Sequence, residues 1–220
     1  MRDSVRPLEK RHASAAATLH RLGIQTGFLS SLGQRFLRQL YAAIPSCPSG
    51  FGYVWEEPDG NILGFIACAE ATGRFYKQAL LRCGLPMGLV MLPRAIARPS
   101  VVKRAVETLR YPGDAADELP SAEVLSIAVS EEARGQGVGR ALMQAALEDF
   151  ARRNVHRVKV AVDAGNIGAN RFYERCGFHL AQTREHHGQP MAIHVQDLRS
   201  RASQDAADTH DGLRSACDGA

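Results

Sequence analysis

Between Glu9 and Ile44 the apolar residues recur every three or four positions, while between Phe51 and Thr72 they run almost unbroken. The first pattern predicts two helices, "EKRHASAAATLHRL" over 9–22 and "GQRFLRQLYAAI" over 33–44. The second helix should stop before Pro45, because proline pushes the preceding residue out of helical backbone. A short strand, "DSVRPL" over 3–8, precedes them. The second pattern predicts two strands, "FGYVWEE" (51–57) and "NILGFIACAEAT" (61–72), joined by the hairpin turn signal "PDG".

Further along, "EVLSIAV" (Glu123 to Val129) reads as a strand. A turn carrying Gly135, Gly137 and Gly139 follows, then a helical stripe of Val138, Leu142, Ala145, Ala146 and Phe150. "HRVKVAVDA" (156–164), "FHLAQTR" (178–184) and "MAIHVQDL" (191–198) are strand-like, the last two joined by a turn, "EHHGQP". "GANRFYERC" reads as a short helix, with Gly177 where helices tend to end. The pair His186–His187 falls in the turn and reads as solvated.

Residues 74–111 interrupt the strands with a basic segment. Arg74, Lys77, Arg82, Arg94, Arg98, Lys103, Arg104 and Arg110 stand against Glu107 alone, a local charge of +7. Two readings stand side by side: an extra helical layer over the sheet, and a surface for an anionic partner. From Arg199 to Ala220 there is little apolar content and no period, so 199–220 reads as a disordered tail to a single domain over 1–198.

Composition fits that organisation: 220 residues, 45% hydrophobic and 23% charged, suit one domain with a sizeable core. The first dozen residues are charged, so no secretory signal is expected, and the longest uncharged apolar stretch, Cys83 to Pro93, is too short to span a bilayer. Five scattered cysteines without a C-x-x-C pair point to reduced thiols in a cytoplasmic setting, with no disulfide framework and no metal site. A net charge of +4 by itself says little about partners.

The glycine turn carries the chemistry. A strand, a glycine turn and a helix present backbone N–H groups to a phosphate. A P-loop would need Lys–Ser/Thr after the glycines, and a dinucleotide fingerprint would need glycine where Arg140 stands, so both fail. What remains is Arg134-x-x-Gly137-x-Gly139. With "AGNIGANRFYERCGF" (Ala164 to Phe178) downstream, it resembles the GNAT superfamily of acetyl-CoA-dependent N-acetyltransferases. The family patterns are [QR]-x-x-G-x-[GA] and N-x-x-[AG]-x-x-[FL]-Y-x-x-x-G-F, and the likeness covers roughly residues 122–198.

The resemblance implies an α/β (α+β) fold: a mixed, mostly antiparallel sheet splayed in the middle and flanked by helices. It implies acetyl-CoA as co-substrate, with its pyrophosphate on Arg134, Gly135, Gln136, Gly137, Val138, Gly139 and Arg140. Its pantetheine arm would lie along the main chain of Ile127, Ala128 and Val129. Tyr173 takes the place of the tyrosine that protonates the leaving thiolate. Asn166 is read both as a helix cap and as a neighbour of the coenzyme arm.

Some peptide-acetylating relatives carry a strand-five glutamate where Ala161 stands here, which weakens protein N-terminal acetylation as the activity. Glu123 and Glu70, then Asp163, remain as candidate bases, each also readable as a solvated strand-end carboxylate. The expected acceptor is the primary amine of a small, anionic molecule, in a monomer or homodimer. Contact with an anionic membrane surface is a further use of the basic segment, and no nucleic-acid-reading element is seen. A protein amine, or a non-catalytic acetyl-CoA-sensing role, are the alternatives.

Overall fold

The computed structural model describes residues 4–24, 28–82, 119–186 and 188–198. Strands β1 (Val5–Pro7), β2 (Gly50–Glu56), β3 (Ile62–Ala69), β4 (Ala122–Val129), β5 (Arg157–Asp163), β6 (His179–His186) and β7 (Gln189–Asp197) form one sheet, in the order β1-β2-β3-β4-β5-β7-β6. Neighbours pair antiparallel except β4 and β5, which run parallel. The helices are α1 (Ala13–Gly23), α2 (Phe28–Ser31), α3 (Gln34–Ala43), α4 (72–82), α5 (Val138–Arg152) and α6 (Ile167–Arg175). This is the mixed, flanked sheet that the sequence leads one to expect.

Strand alternation divides the core in two. From β3, Phe65, Ala67 and Ala69 face a layer built by α1 and α3, with Ala17, Leu37 and Tyr41. Ile66 and Cys68 face the opposite layer, with Leu142, Phe150, Tyr173 and Phe178 from α5 and α6. Most apolar side chains of β2 to β5 are thus buried on both faces, which accounts for the unbroken apolar runs in the sequence.

Two details differ from the sequence reading. The four-residue α2 was not anticipated, since it is too short to show a period. Strands β6 and β7 extend further than expected, because His186 pairs with Gln189 and Gly188 (φ 80°) takes the left-handed conformation at the tip. Of the basic segment, only 74–82 falls among the described residues, in α4; the rest, including Arg94 and Arg98, lies outside them, as does the 199–220 tail. The described cysteines Cys47, Cys68 and Cys176 are buried and not disulfide-bonded. Among the described residues no helix is long and apolar enough to cross a membrane.

Candidate active site

Parallel pairing of β4 with β5 covers only Ala122–Val124 against Val158–Val160, although β4 continues to Val129 and β5 to Asp163. Beyond Val124 the two strands part. A cleft of about 690 Å³ opens there, lined on one wall by β4, the glycine loop and the start of α5, and on the other by β5 and α6. The far edge of β4 stays paired with β3 through Val129. The main chain of Ile127, Ala128 and Val129 therefore borders the cleft with its unpaired side, where an extended amide-bearing chain can bond as a further strand would.

The loop that closes one end follows from its glycines. Gly135 (φ 78°) and Gly137 (φ 83°) occupy the left-handed region, which costs an L-residue roughly 1–2 kcal/mol. Gly137 is the N-cap of α5 and no side chain caps that end. The amides of Val138, Gly139 and Arg140 have no carbonyl within their own helix to bond. With the dipole of a fifteen-residue helix behind them, they make an end suited to an anion, beside the Arg134 and Arg140 side chains. Gly139 differs from its neighbours. A Cβ there would meet Phe172 and Val129 at 3.4–3.5 Å, an ordinary contact, so the family's allowance for alanine at this place has a steric basis.

Tyr173 is fixed by the caps of its short helix. At the start, Asn166 Oδ1 accepts from Ala169 N at 3.0 Å. At the end, Gly177 (φ 94°) allows Gly177 N to bond Glu174 O and Phe178 N to bond Tyr173 O, at 2.9 and 3.0 Å. That is the double bond of a Schellman ending, and its accompanying apolar contact is Tyr173 against Phe178, ring centroids 6.0 Å apart. Tyr173 lines the cleft yet is only 7% exposed. Burial raises its pKa above the usual phenol value, with smaller contributions from Cys176 and Cys68, so the hydroxyl stays protonated.

The remaining expected residues divide. Arg134, Gly135, Gly137, Val138, Gly139, Arg140 and Asn166 all line the cleft, as does Glu123. Gln136 does not; its Nε2 donates back to the Glu132 carbonyl at 2.7 Å. Glu70 is also absent from the lining and pairs with Arg153 at the end of α5, 3.7 Å away. The reason is alternation. Ala69 pairs with Glu123 across β3 and β4, and Glu70, one step beyond that pair, turns to the α5 face. Glu123 meets the opposite layer, where its Oε2 accepts from Thr72 Oγ1 at 3.0 Å; burial pushes up the pKa of Tyr76 there, and the charge of Glu123 adds to the rise. Asp163 lines the cleft and turns the chain after β5 by accepting from Gly165 N at 2.8 Å.

Sequence reasoning missed a polar group on the α1–α3 side: His20, Ser30 and Ser126 line the cleft, with Tyr41 behind them. The helix read over 9–22 carries both His12 and His20, and nothing in its pattern singles out His20. Only the fold brings these four together.

Comparison with known proteins agrees with this geometry. The sequence profile of the Acetyltransferase (GNAT) family matches residues 24–178. A mycothiol acetyltransferase of Kytococcus sedentarius is 36% identical over 75 residues, 34% of this chain and 25% of that protein. The chain thus spans about a quarter of the length of that curated relative. Among solved structures, a GCN5-related N-acetyltransferase from Kribbella flavida superposes with a TM-score of 0.58 at 18% identity, covering 90% of this chain and 99% of its own. The ribosomal-protein-S18-alanine N-acetyltransferase from Escherichia coli gives 0.55 at 14% identity, covering 88% and 92%. A family match over most of the chain, on the expected splayed sheet, means that this protein belongs to the Acetyltransferase (GNAT) family.

Proposed function

We propose that the protein transfers an acetyl group from acetyl-CoA to the primary amine of a small molecule, by direct attack of the amine on the thioester. The observation that carries this reading is the parting of β4 from β5 directly above the uncapped end of α5. One cleft then offers a peptide-like edge for the pantetheine arm and a cluster of amides for the pyrophosphate, with Tyr173 on the facing wall. The wall built by α1, α2 and α4 is left for the acceptor. Of the described cleft-lining residues that α1, α2, α4, their connections and β4 contribute, Glu123 is the one with a formal charge, which suits an amine head group. An anionic tail on the acceptor would be selected by the basic 74–111 segment.

In the transfer, the N–C bond forms as the C–S bond breaks and the electron pair leaves on sulfur. Tyr173 donates a hydrogen bond to that sulfur. A phenol near pKa 10 is a weaker acid than a thiol near 8.5, and burial widens the gap. Full proton transfer from Tyr173 is therefore uphill unless another proton reaches the site at the same time. Water in the cleft supplies it, and over the whole reaction the proton that the nitrogen loses on becoming an amide balances the one that the thiolate gains.

The test uses acetyl-CoA with a panel of primary amines, reading free thiol release and acetylated product. Thiol release that depends on an amine supports the reading. Binding of acetyl-CoA with no release for any amine would show a sensing module in its place.

A further inference from the structure

On the α1–α3 face of β4 lies a chain of hydrogen bonds that neither the glycine loop nor Tyr173 uses. The β3–β4 register slips between Ala67 and Cys68, leaving Leu125 as an extra residue on β4. Such a bulge re-aims the side chains that follow it. Before it, Ala122 and Val124 face α5; after it, Ile127 and Val129 do, and Ser126 turns to the other side, toward the Tyr41 hydroxyl.

The direction of each bond follows from counting protons. Ser30 has one hydroxyl proton and gives it to the Ile24 carbonyl at 2.6 Å. Ser30 Oγ is then the acceptor from His20 Nε2 at 3.1 Å, which places the imidazole proton on Nε2. Nδ1 keeps its lone pair and accepts from the Tyr41 hydroxyl at 2.5 Å. Ser126 has one hydroxyl proton for two acceptors, the Leu125 carbonyl, to which it donates at 2.7 Å, and the Tyr41 oxygen; turning that proton from the first to the second completes the chain. His20 and Tyr41 are each 1% exposed, whereas Ser126 opens onto the cleft beside the β4 edge.

We infer that this chain carries away the proton of the attacking amine, from nitrogen to Ser126 Oγ, from Ser126 to Tyr41 and from Tyr41 to Nδ1 of His20. The inference rests on the N-acetyltransferase reading above. Burial holds His20 neutral at neutral pH, its pKa pushed down to about 4, so each cycle starts with an imidazole able to accept. A nitrogen becoming an amide is a far stronger acid than a free ammonium, so a weak base is sufficient. Once the amide has left, His20 returns the proton along the same chain to water in the cleft. The thiolate's proton comes by way of Tyr173, which is replenished from the same water, so the net change is one proton moved from amine to thiol. Ser126 alone touches the amine; Tyr41 and His20 act through it.

The experiment uses the full chain with the best amine of the panel. Ser126→Ala should lower kcat ten-fold or more, with the KM for acetyl-CoA and the melting temperature nearly unchanged, and Ser126→Thr should restore most of the rate. The double variant Ser126→Ala/Tyr41→Phe should be no slower than the slower single variant, because one broken link already stops the chain. The solvent deuterium isotope effect on kcat should change in Ser126→Ala. A kcat within two-fold of the parent in Ser126→Ala, or losses that multiply in the double variant, would overturn the relay while leaving the acetyltransferase reading intact. Absence of amine-dependent thiol release in the unaltered protein would overturn both.

Discussion

Gly137 and Gly139 stand two residues apart in one loop, and the structure gives them opposite tolerances. At Gly137 (φ 83°) an alanine must either hold a left-handed conformation or let the loop relax. The first alternative costs about 1–2 kcal/mol of stability. For a domain of this size that corresponds to a fall of roughly 2–8 °C in melting temperature. In the second, the strain returns on binding, because the amides of Val138 to Arg140 must be re-aimed at the ligand. The same 1–2 kcal/mol is then about a 5- to 30-fold loss in acetyl-CoA affinity. At Gly139 the added methyl meets only ordinary contacts, and Gly→Ala there gains about 0.4–1 kcal/mol by restricting the unfolded chain. The assay is thermal unfolding with and without acetyl-CoA. At one hundred times Kd the ligand stabilises the parent by about 2.7 kcal/mol, a rise of roughly 5–11 °C. Gly137→Ala should lose either baseline stability or much of that rise, and Gly137→Val should abolish the rise. Gly139→Ala should keep both. If Gly137→Ala matches the parent in both quantities, the loop is not held by its left-handed glycine and the phosphate-cradle argument fails.

Three further outcomes are expected. Tyr173→Phe should leave acetyl-CoA affinity intact and lower kcat on the order of ten-fold or more, the lower part of the range for acid–base catalysis; an unchanged kcat where chemistry limits turnover would return Tyr173 to a packing role. His20 has a folded pKa near 4 against about 6.5 unfolded, so the unfolded chain binds its proton first on acidification. Its contribution is present above pH 6.5 and is lost as pH falls toward 4, by about 2 kcal/mol at pH 5; denaturant titrations at pH 7.5 and 5.0 should show a smaller difference for His20→Gln than for the parent, and equal differences would refute this. Asn166→Ala removes the cap on Ala169 N and should cost about 1 kcal/mol, read as a lower denaturant midpoint at unchanged slope.

The parts of this protein visible in the sequence are those built by neighbours along the chain. The strand–glycine–helix succession from Glu123 to Phe150 needs only local backbone preferences and a helical apolar stripe, and it appears where expected. So does α6, whose Asn166 cap and Gly177 ending lie within three residues of the groups they bond. The choice between Glu123 and Glu70 could not be made that way, since both are carboxylates near strand ends. It depends on which face each residue meets, and that is set by pairing partners more than fifty positions apart. The Ser126 relay lay further out of reach. A single slipped residue between β3 and β4 reverses the alternation after Leu125, and no period in "EVLSIAV" announces it. His20, Tyr41 and Ser126 come from α1, α3 and β4, and their polar atoms meet because helices that cover an apolar sheet must satisfy whatever polar groups they bury. Sequence by itself determined the family and the strand–glycine–helix turn, because both rest on local backbone conformation. Tertiary structure decided which carboxylate faces the cleft and which buried groups reach it, because those depend on strand register.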